Sequence, residues 1–148
     1  MSNTQRENLY MSLRGKHIFI VDDNVFNRAT YQIILFAKGA YVEFDRWGRD
    51  TVKLLQGKPH IDLIILDLML PMGVTGYGLF TAIREIPGFE TKPILAVSAS
   101  DPYSAMEKCR EMGFSGYIAK PINEEAFPDQ IARVMRGESV WDVNRLGN

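Results

Sequence analysis

Ile61-Asp62-Leu63-Ile64-Ile65-Leu66-Asp67 is the stretch that decides the fold. Its apolar run is almost unbroken, as expected of a central parallel strand covered on both faces. It stops at a carboxylate. Three other apolar runs stop in a similar way. His17-Ile18-Phe19-Ile20-Val21 leads into Asp22-Asp23, Pro93-Ile94-Leu95-Ala96-Val97 into Ser98, and Tyr117-Ile118-Ala119 into Lys120-Pro121. If these runs are parallel strands of one sheet, their polar ends meet at its carboxyl edge, where open α/β sheets place their sites. Three carboxylates, a hydroxyl and an ammonium would then share one pocket. Such a set suits a divalent cation and a phosphoryl group.

The segments between the runs read as helices. The first strand spans 16–21, and Asn24 is placed to cap a helix with Phe26, Ala29, Ile33 and Ala37 on one face, stopped by Gly39. Tyr41-Val42-Glu43-Phe44 alternates as a second strand, and a helix over about 49–56 buries Val52 and Leu55 before Gly57. After the third strand, 61–66, a helix over about 76–86 turns Leu79, Ile83 and Ile86 inward and stops at Pro87-Gly88. The fourth strand, 93–97, precedes Asp101-Pro102, a cap and first-turn proline, and Gly113 ends that helix. The fifth strand is 116–119, and Asn123 is placed to cap a last helix carrying Phe127, Ile131, Val134 and Met135. Strands and helices in strict alternation predict an α/β fold: a doubly wound, five-stranded parallel sheet with five helices in three layers.

Residues 1–14 read as a polar N-terminal arm, 15–137 as the domain and 138–148 as a C-terminal tail. Leu9, Tyr10, Met11 and Leu13 could form a short packed turn within the arm. For Trp141 and the stretch from Val140 to Leu146, the preferred reading is a segment packed back onto the domain. The sharper one is a partner or homodimer contact, since tryptophan is enriched at such places.

The 148 residues carry a net charge of −1, with 46% hydrophobic and 24% charged residues. This balance gives no reason to expect a nucleic-acid or membrane surface. The chain lacks a spanning apolar run and begins without a basic-then-apolar signal pattern. Cys109 is the single cysteine, so no internal disulfide can form. It sits at helical spacing with Ala105 and Met112 and reads as a small core residue in a reducing, cytoplasmic setting.

Adjacent carboxylates such as Asp22 and Asp23 repel unless a cation is near, and Mg²⁺ with retained waters is the usual partner. For that pair alone, capping of the following helix is an equal alternative. Asp67 could also be a cap. Beside the acidic pair, a better reading is a nucleophile that attacks phosphorus to form an acyl phosphate, the metal bridging Asp67 and the phosphoryl oxygens. Lys120 is a suitable point charge for a phosphoryl oxygen, although a single lysine is more often simply solvated. The Lys120–Pro121 bond is of the X-Pro type that can be cis. Ser98 could donate to a phosphoryl oxygen or cap the next helical region. The four strand ends argue jointly for what none of them argues alone.

Over about residues 16–136 the chain resembles the receiver domain of two-component response regulators, in its stand-alone single-domain form. Val21-Asp22-Asp23-Asn24, Leu66-Asp67-Leu68-Met69-Leu70-Pro71, Val97-Ser98-Ala99 and Lys120-Pro121 carry the resemblance, in that order and spacing. Asn27-Arg28 after the acidic pair is similar to receivers attached to hybrid sensor kinases. The resemblance implies a flavodoxin-like sheet with strand order 2-1-3-4-5. It implies that Asp67 accepts a phosphoryl group from a phosphohistidine of a sensor histidine kinase or histidine phosphotransfer protein. Asp23 would ligate Mg²⁺ directly and Asp22 mainly through metal-bound water, with Asp67 and the backbone carbonyl of Met69 completing the set. Ser98 would move toward the phosphoryl group, Lys120 would pair with one of its oxygens, and Tyr117 would swing inward as Ser98 moves. Tyr117 also reads as a half-buried strand aromatic. The fourth helix, fifth strand and fifth helix would form the readout face for a downstream protein, or the phosphate would be relayed. No enzymatic turnover is implied beyond self-phosphorylation from a phosphodonor and self-dephosphorylation. Neither nucleic acid nor a membrane is implied as a direct partner, and the length leaves no room for a fused DNA-binding domain.

The chain departs from the family pattern twice. Met72-Gly73-Val74-Thr75 separates Pro71 from Gly76, one residue more than is usual beside the site. Pro128 falls where the last helix should be under way, so that helix starts late or bends. Three other functions compete. A haloacid-dehalogenase-type phosphohydrolase also uses a strand-end aspartate with Mg²⁺, but it wants a second aspartate where Met69 stands. A flavodoxin-like cofactor binder needs a phosphate loop where Asp22-Asp23 would repel phosphate. A degenerate, constitutive interaction module is argued against by the presence of every key residue.

Overall fold

The computed structural model describes residues 2–4 and 13–143. The elements follow the chain as β1 (His17–Val21), α1 (Val25–Phe36), β2 (Tyr41–Asp45), α2 (Thr51–Gln56), β3 (Leu63–Leu66), α3 (Gly76–Arg84), β4 (Ile94–Ser98), α4 (Pro102–Met112), β5 (Gly116–Ala119), α5 (Phe127–Met135) and β6 (Val140–Asp142). The sheet order is β2-β1-β3-β4-β5-β6, and every neighbouring pair is parallel. The expected order 2-1-3-4-5 is therefore present, with β6 added outside β5.

The period of two along each strand splits the core into two layers. Phe19, Val21, Ile64, Leu66, Ile94, Ala96 and Tyr117 face Leu55 of α2, Leu79, Phe80 and Ile83 of α3, and Ala105 and Cys109 of α4. Ile18, Ile20, Leu63, Ile65, Leu95, Val97 and Ile118 face Tyr31 and Leu35 of α1 and Phe127, Ile131 and Val134 of α5. All four residues of β3 are buried, as a strand covered on both faces requires. Each such side chain contributes about 1.5–3 kcal/mol of burial. Cys109 is a core residue, and burial pushes its thiol up to about 12, well away from the reactive thiolate.

Local signals set the helix ends. Asn24 accepts from the Asn27 N–H, Asp101 from the Ser104 N–H, and Gly113 takes the left-handed conformation that closes α4. Asn123 accepts from the Glu125 and Ala126 N–H groups, so it caps a turn ahead of α5 rather than the helix itself. With Pro128 in its first turn, α5 starts at Phe127, and no interior hydrogen bond is lost.

The face of α1 chosen from the sequence is the wrong one. Phe26 is 79% exposed and Ile33 70% exposed, and Ala29 and Ala37 also face water. Tyr31 and Leu35, on the opposite side, enter the core. The helix carries two apolar stripes, and periodicity alone cannot say which one the sheet covers.

Val140–Asp142 joins the sheet. Gly116, Tyr117 and Ile118 of β5 pair with Val140, Trp141 and Asp142. Trp141 packs against the first core layer, and the Arg110 guanidinium lies 4.6 Å over its ring. Asp142 accepts from Gln130 Nε2 at 2.8 Å. In the N-terminal arm, Leu13 is buried in the second layer. Leu9, Tyr10, Met11 and the stretch beyond Val143 lie outside the described residues.

The extra residue after Pro71 is absorbed by a 3-10 turn over Pro71–Gly73 and an antiparallel bridge between Met69 and Thr75. Leu70 N–H donates to Val74 O, and Gly76 N–H to Leu68 O. A Cβ at Gly76 would lie 2.5 Å from the Asp67 carbonyl, so this close return of the chain requires glycine. Met72 sits at φ 61 and is exposed. Left-handed backbone costs an L-residue about 1–2 kcal/mol, which outweighs the entropy that glycine gives up. Met72→Gly is therefore expected to raise the unfolding free energy by about 0.5–1 kcal/mol in urea titration.

Candidate functional site

The strand ends converge as their sequence order suggests. Asp22 follows β1, Asp67 follows β3, Ser98 closes β4 and Lys120 follows β5. Lys120 Nζ lies 2.6 Å from Asp67 Oδ2 and 2.9 Å from Asp22 Oδ2. The Ser98 hydroxyl donates to Asp67 Oδ1 at 3.0 Å, and the Met69 N–H donates to the same oxygen at 3.1 Å. Asp22, Asp67 and Ser98 are buried, while Asp23 is exposed at the mouth. One carboxylate oxygen from each of Asp22, Asp23 and Asp67 lies within 4.8 Å of the others.

Burial works against the Lys120 ammonium, but its hydrogen bonds to Asp67 and Asp22 and their charges outweigh burial and hold its pKa above the ordinary lysine value. The pocket is thus a tight cluster of like charges with one ammonium set between two of them. A hard dication with oxygen ligands fits the remaining acidic opening, since Asp23 stands free of hydrogen bonds among the described residues.

Among the neighbours of Asp22, Tyr31 was not singled out from the sequence, and Asn27 and Arg28 were noted only for their likeness to hybrid-kinase receivers. Asp22 Oδ2 accepts from Asn27 Nδ2 and from the Tyr31 hydroxyl, each at 3.4 Å, and Asp22 Oδ1 accepts from the Asn24 N–H at 2.9 Å. The Arg28 guanidinium donates to the Asp22 carbonyl at 2.9 Å. Burial, then the charges of Asp22 and Asp67, push the Tyr31 phenol far above its usual value, so it remains a donor. Asn27 and Tyr31 are four residues apart on a capped helix leaving the acidic pair, and that spacing was the available signal.

Tyr117 is fully buried rather than half-buried. Its hydroxyl donates to the carbonyls of Ser98 at 3.2 Å and Ser100 at 3.0 Å, and burial raises its pKa. Ser100 in turn donates to Ser98 Oγ at 3.1 Å. The Lys120–Pro121 bond is cis.

The geometry has counterparts among known proteins. The profile of the response regulator receiver domain matches residues 18–132. The chain is 30% identical over 151 residues to histidine kinase 2 of Arabidopsis thaliana, covering 88% of this chain and 13% of that kinase. It is 27% identical over 120 residues to the two-component response regulator ORR5 of Oryza sativa, covering 81% of this chain and 89% of the regulator. The chemotaxis response regulator CheY4 of Vibrio cholerae superposes with a TM-score of 0.73 at 26% identity, over 80% of this chain and 98% of that one. The chain spans 12–16% of the length of the histidine kinases it matches.

Proposed function

The chain belongs to the response regulator receiver family, and from that premise we propose that it is a phosphorylation switch with Asp67 as its acceptor. The observation that carries this reading is the Asp67 carboxylate itself, held between the Ser98 hydroxyl and the Lys120 ammonium with Asp22 and Asp23 alongside. Asp67 attacks the phosphorus of a phosphohistidine. A P–O bond forms as the P–N bond breaks, and the imidazole leaves with the electron pair. Lys120 and Ser98 then each hold a phosphoryl oxygen. Asp23, Asp67 and the Met69 carbonyl would hold Mg²⁺, with Asp22 acting through water. When bound, the ion supplies charge neutralisation at the phosphoryl oxygens.

Ser98 already contacts Asp67, and Tyr117 is already inward. On this reading the phosphoryl group deepens an existing arrangement, shifting a population rather than creating a new state. Output through the fourth helix, fifth strand and fifth helix would have to include β6, because Val140–Asp142 covers the outer edge of β5. Among the described residues no helix is long and apolar enough to cross a membrane. Cytoplasmic residence is part of the proposal.

The phosphodonor is a sensor kinase or phosphotransfer protein. The exposed stripe of Phe26, Ile33 and Phe36 supports docking on α1, since that helix starts at the Asn24 cap beside the acidic pair. Labelled phosphate should pass from a phosphorylated histidine phosphotransfer protein to the wild type and not to Asp67→Asn. Ile33→Asp should slow that transfer at least about tenfold while acetyl phosphate labels it normally. Transfer to Asp67→Asn would overturn the acceptor, and undiminished transfer to Ile33→Asp would overturn the docking face.

A further inference from the structure

We propose that His17, Glu43 and His60 form a second metal site, for Zn²⁺ or a similar d-block dication, at the amino end of the sheet. Five residue steps along β1, from His17 to Asp22, separate it from the acidic pocket, roughly 16 Å at the rise of a strand. Both histidines of the chain are there. The register pairs His17 with Tyr41 and Phe19 with Glu43, so the period of two sets His17, Tyr41 and Glu43 on one face. His60 reaches the same place from the segment ahead of β3. One ligand atom from each of the three residues lies within 4.8 Å of the others.

The carboxylate is divided in a way that suits a metal. Glu43 Oε1 accepts from Lys58 Nζ at 2.7 Å. Glu43 Oε2 is buried and has no hydrogen-bond partner. An unpaired buried carboxylate oxygen is costly. His60 Nε2 stands 3.6 Å from it, too far for a hydrogen bond. Donor atoms around a tetrahedral zinc lie about 3.3 Å apart, so a few tenths of an ångström separate this pair from a coordination edge. The His17 ring is fixed by stacking on Tyr41 at 4.9 Å and meets the His60 ring edge-on at 4.8 Å. Half-exposed His60 gives the ion a way in.

The donor set names the ligand class. Two imidazoles and one carboxylate suit Zn²⁺, Ni²⁺ or Cu²⁺, whereas Mg²⁺ prefers oxygen and would go to the acidic pocket. A bound ion would tie β2, one of the sheet's two edge strands, to β1 and to the approach to β3. A plain ion pair between Glu43 and His60 would involve only those two side chains and make no use of the His17 ring nitrogens beside them.

The full-length, chelator-stripped protein would be titrated with Zn²⁺ in saturating Mg²⁺, with a chromophoric chelator as competitor. One equivalent should bind, and His60→Gln and His17→Gln should each weaken it by about 10–100-fold or more. Asp23→Asn, which alters the acidic pocket, should keep it. His60→Gln should take phosphoryl label from acetyl phosphate like the wild type, which shows that it folds. Cobalt in place of zinc should give the visible absorption of a tetrahedral site in the wild type and not in His60→Gln. No bound equivalent, an equivalent that survives His60→Gln, or one lost in Asp23→Asn would overturn the site.

Discussion

Replacing Lys120 by methionine is expected to lower the unfolding free energy by about 3 kcal/mol in Mg²⁺-free buffer. The Lys120 side chain is 15% exposed, and its ammonium bridges Asp67 at 2.6 Å and Asp22 at 2.9 Å. Methionine keeps the length and loses the charge, leaving two carboxylates facing each other in a buried pocket. Excess Mg²⁺ should restore part of the loss, because it supplies the missing positive charge. The wild type should also show a pH signature. The folded pKa of Lys120 lies above its ordinary 10.5, so its contribution is complete below that pH and falls away as pH rises through the folded value. Tyr31, raised by burial, acts in the same direction. Urea unfolding from pH 8 to 12 should therefore fall more steeply for the wild type than for Lys120→Met. Equal stability of the two proteins without Mg²⁺ would mean that the ammonium does not balance the acidic cluster.

Gly116→Ala is expected to destabilise the protein by about 2–3 kcal/mol, because it drives β6 off the sheet. A Cβ at Gly116 would collide with the Val140 carbonyl oxygen and lie 3.0 Å from the Val140 N and C atoms. These are backbone atoms of a paired strand and cannot turn aside. Displacing β6 exposes Val140, removes Trp141 from Arg110 and breaks the Gln130–Asp142 hydrogen bond. Limited trypsin digestion should then cut at Arg136 much faster than in the wild type, with a change in tryptophan emission. Unchanged stability and digestion would show that β6 adds nothing to the fold.

The residues differ in how openly they announced their places, and the reasons are physical. Asp22, Asp67, Ser98 and Lys120 were legible because each ends an apolar run, and parallel strands bring their carboxyl ends to one edge. Asn24, Asp101 and Gly113 were legible because capping is local chemistry. The outward stripe of α1 was misread because Phe26 and Ile33 are as apolar as Tyr31 and Leu35, and only the sheet decides between them. β6 was not read as a strand because three residues carry no usable period, and its pairing depends on Gly116 more than twenty positions earlier. His17, Glu43 and His60 come from three separate segments: the β1–β2 register brings His17 and Glu43 to one face, and His60 arrives from the segment ahead of β3.

The most direct test of the switch is intact mass after incubation with acetyl phosphate and Mg²⁺, for the wild type beside Asp67→Asn. The wild type should gain one phosphoryl group that survives mild acid and is lost in base, as an acyl phosphate is, and Asp67→Asn should gain none. An equal adduct on Asp67→Asn, or no adduct on the wild type from either acetyl phosphate or a phosphorylated histidine phosphotransfer protein, would contradict the account.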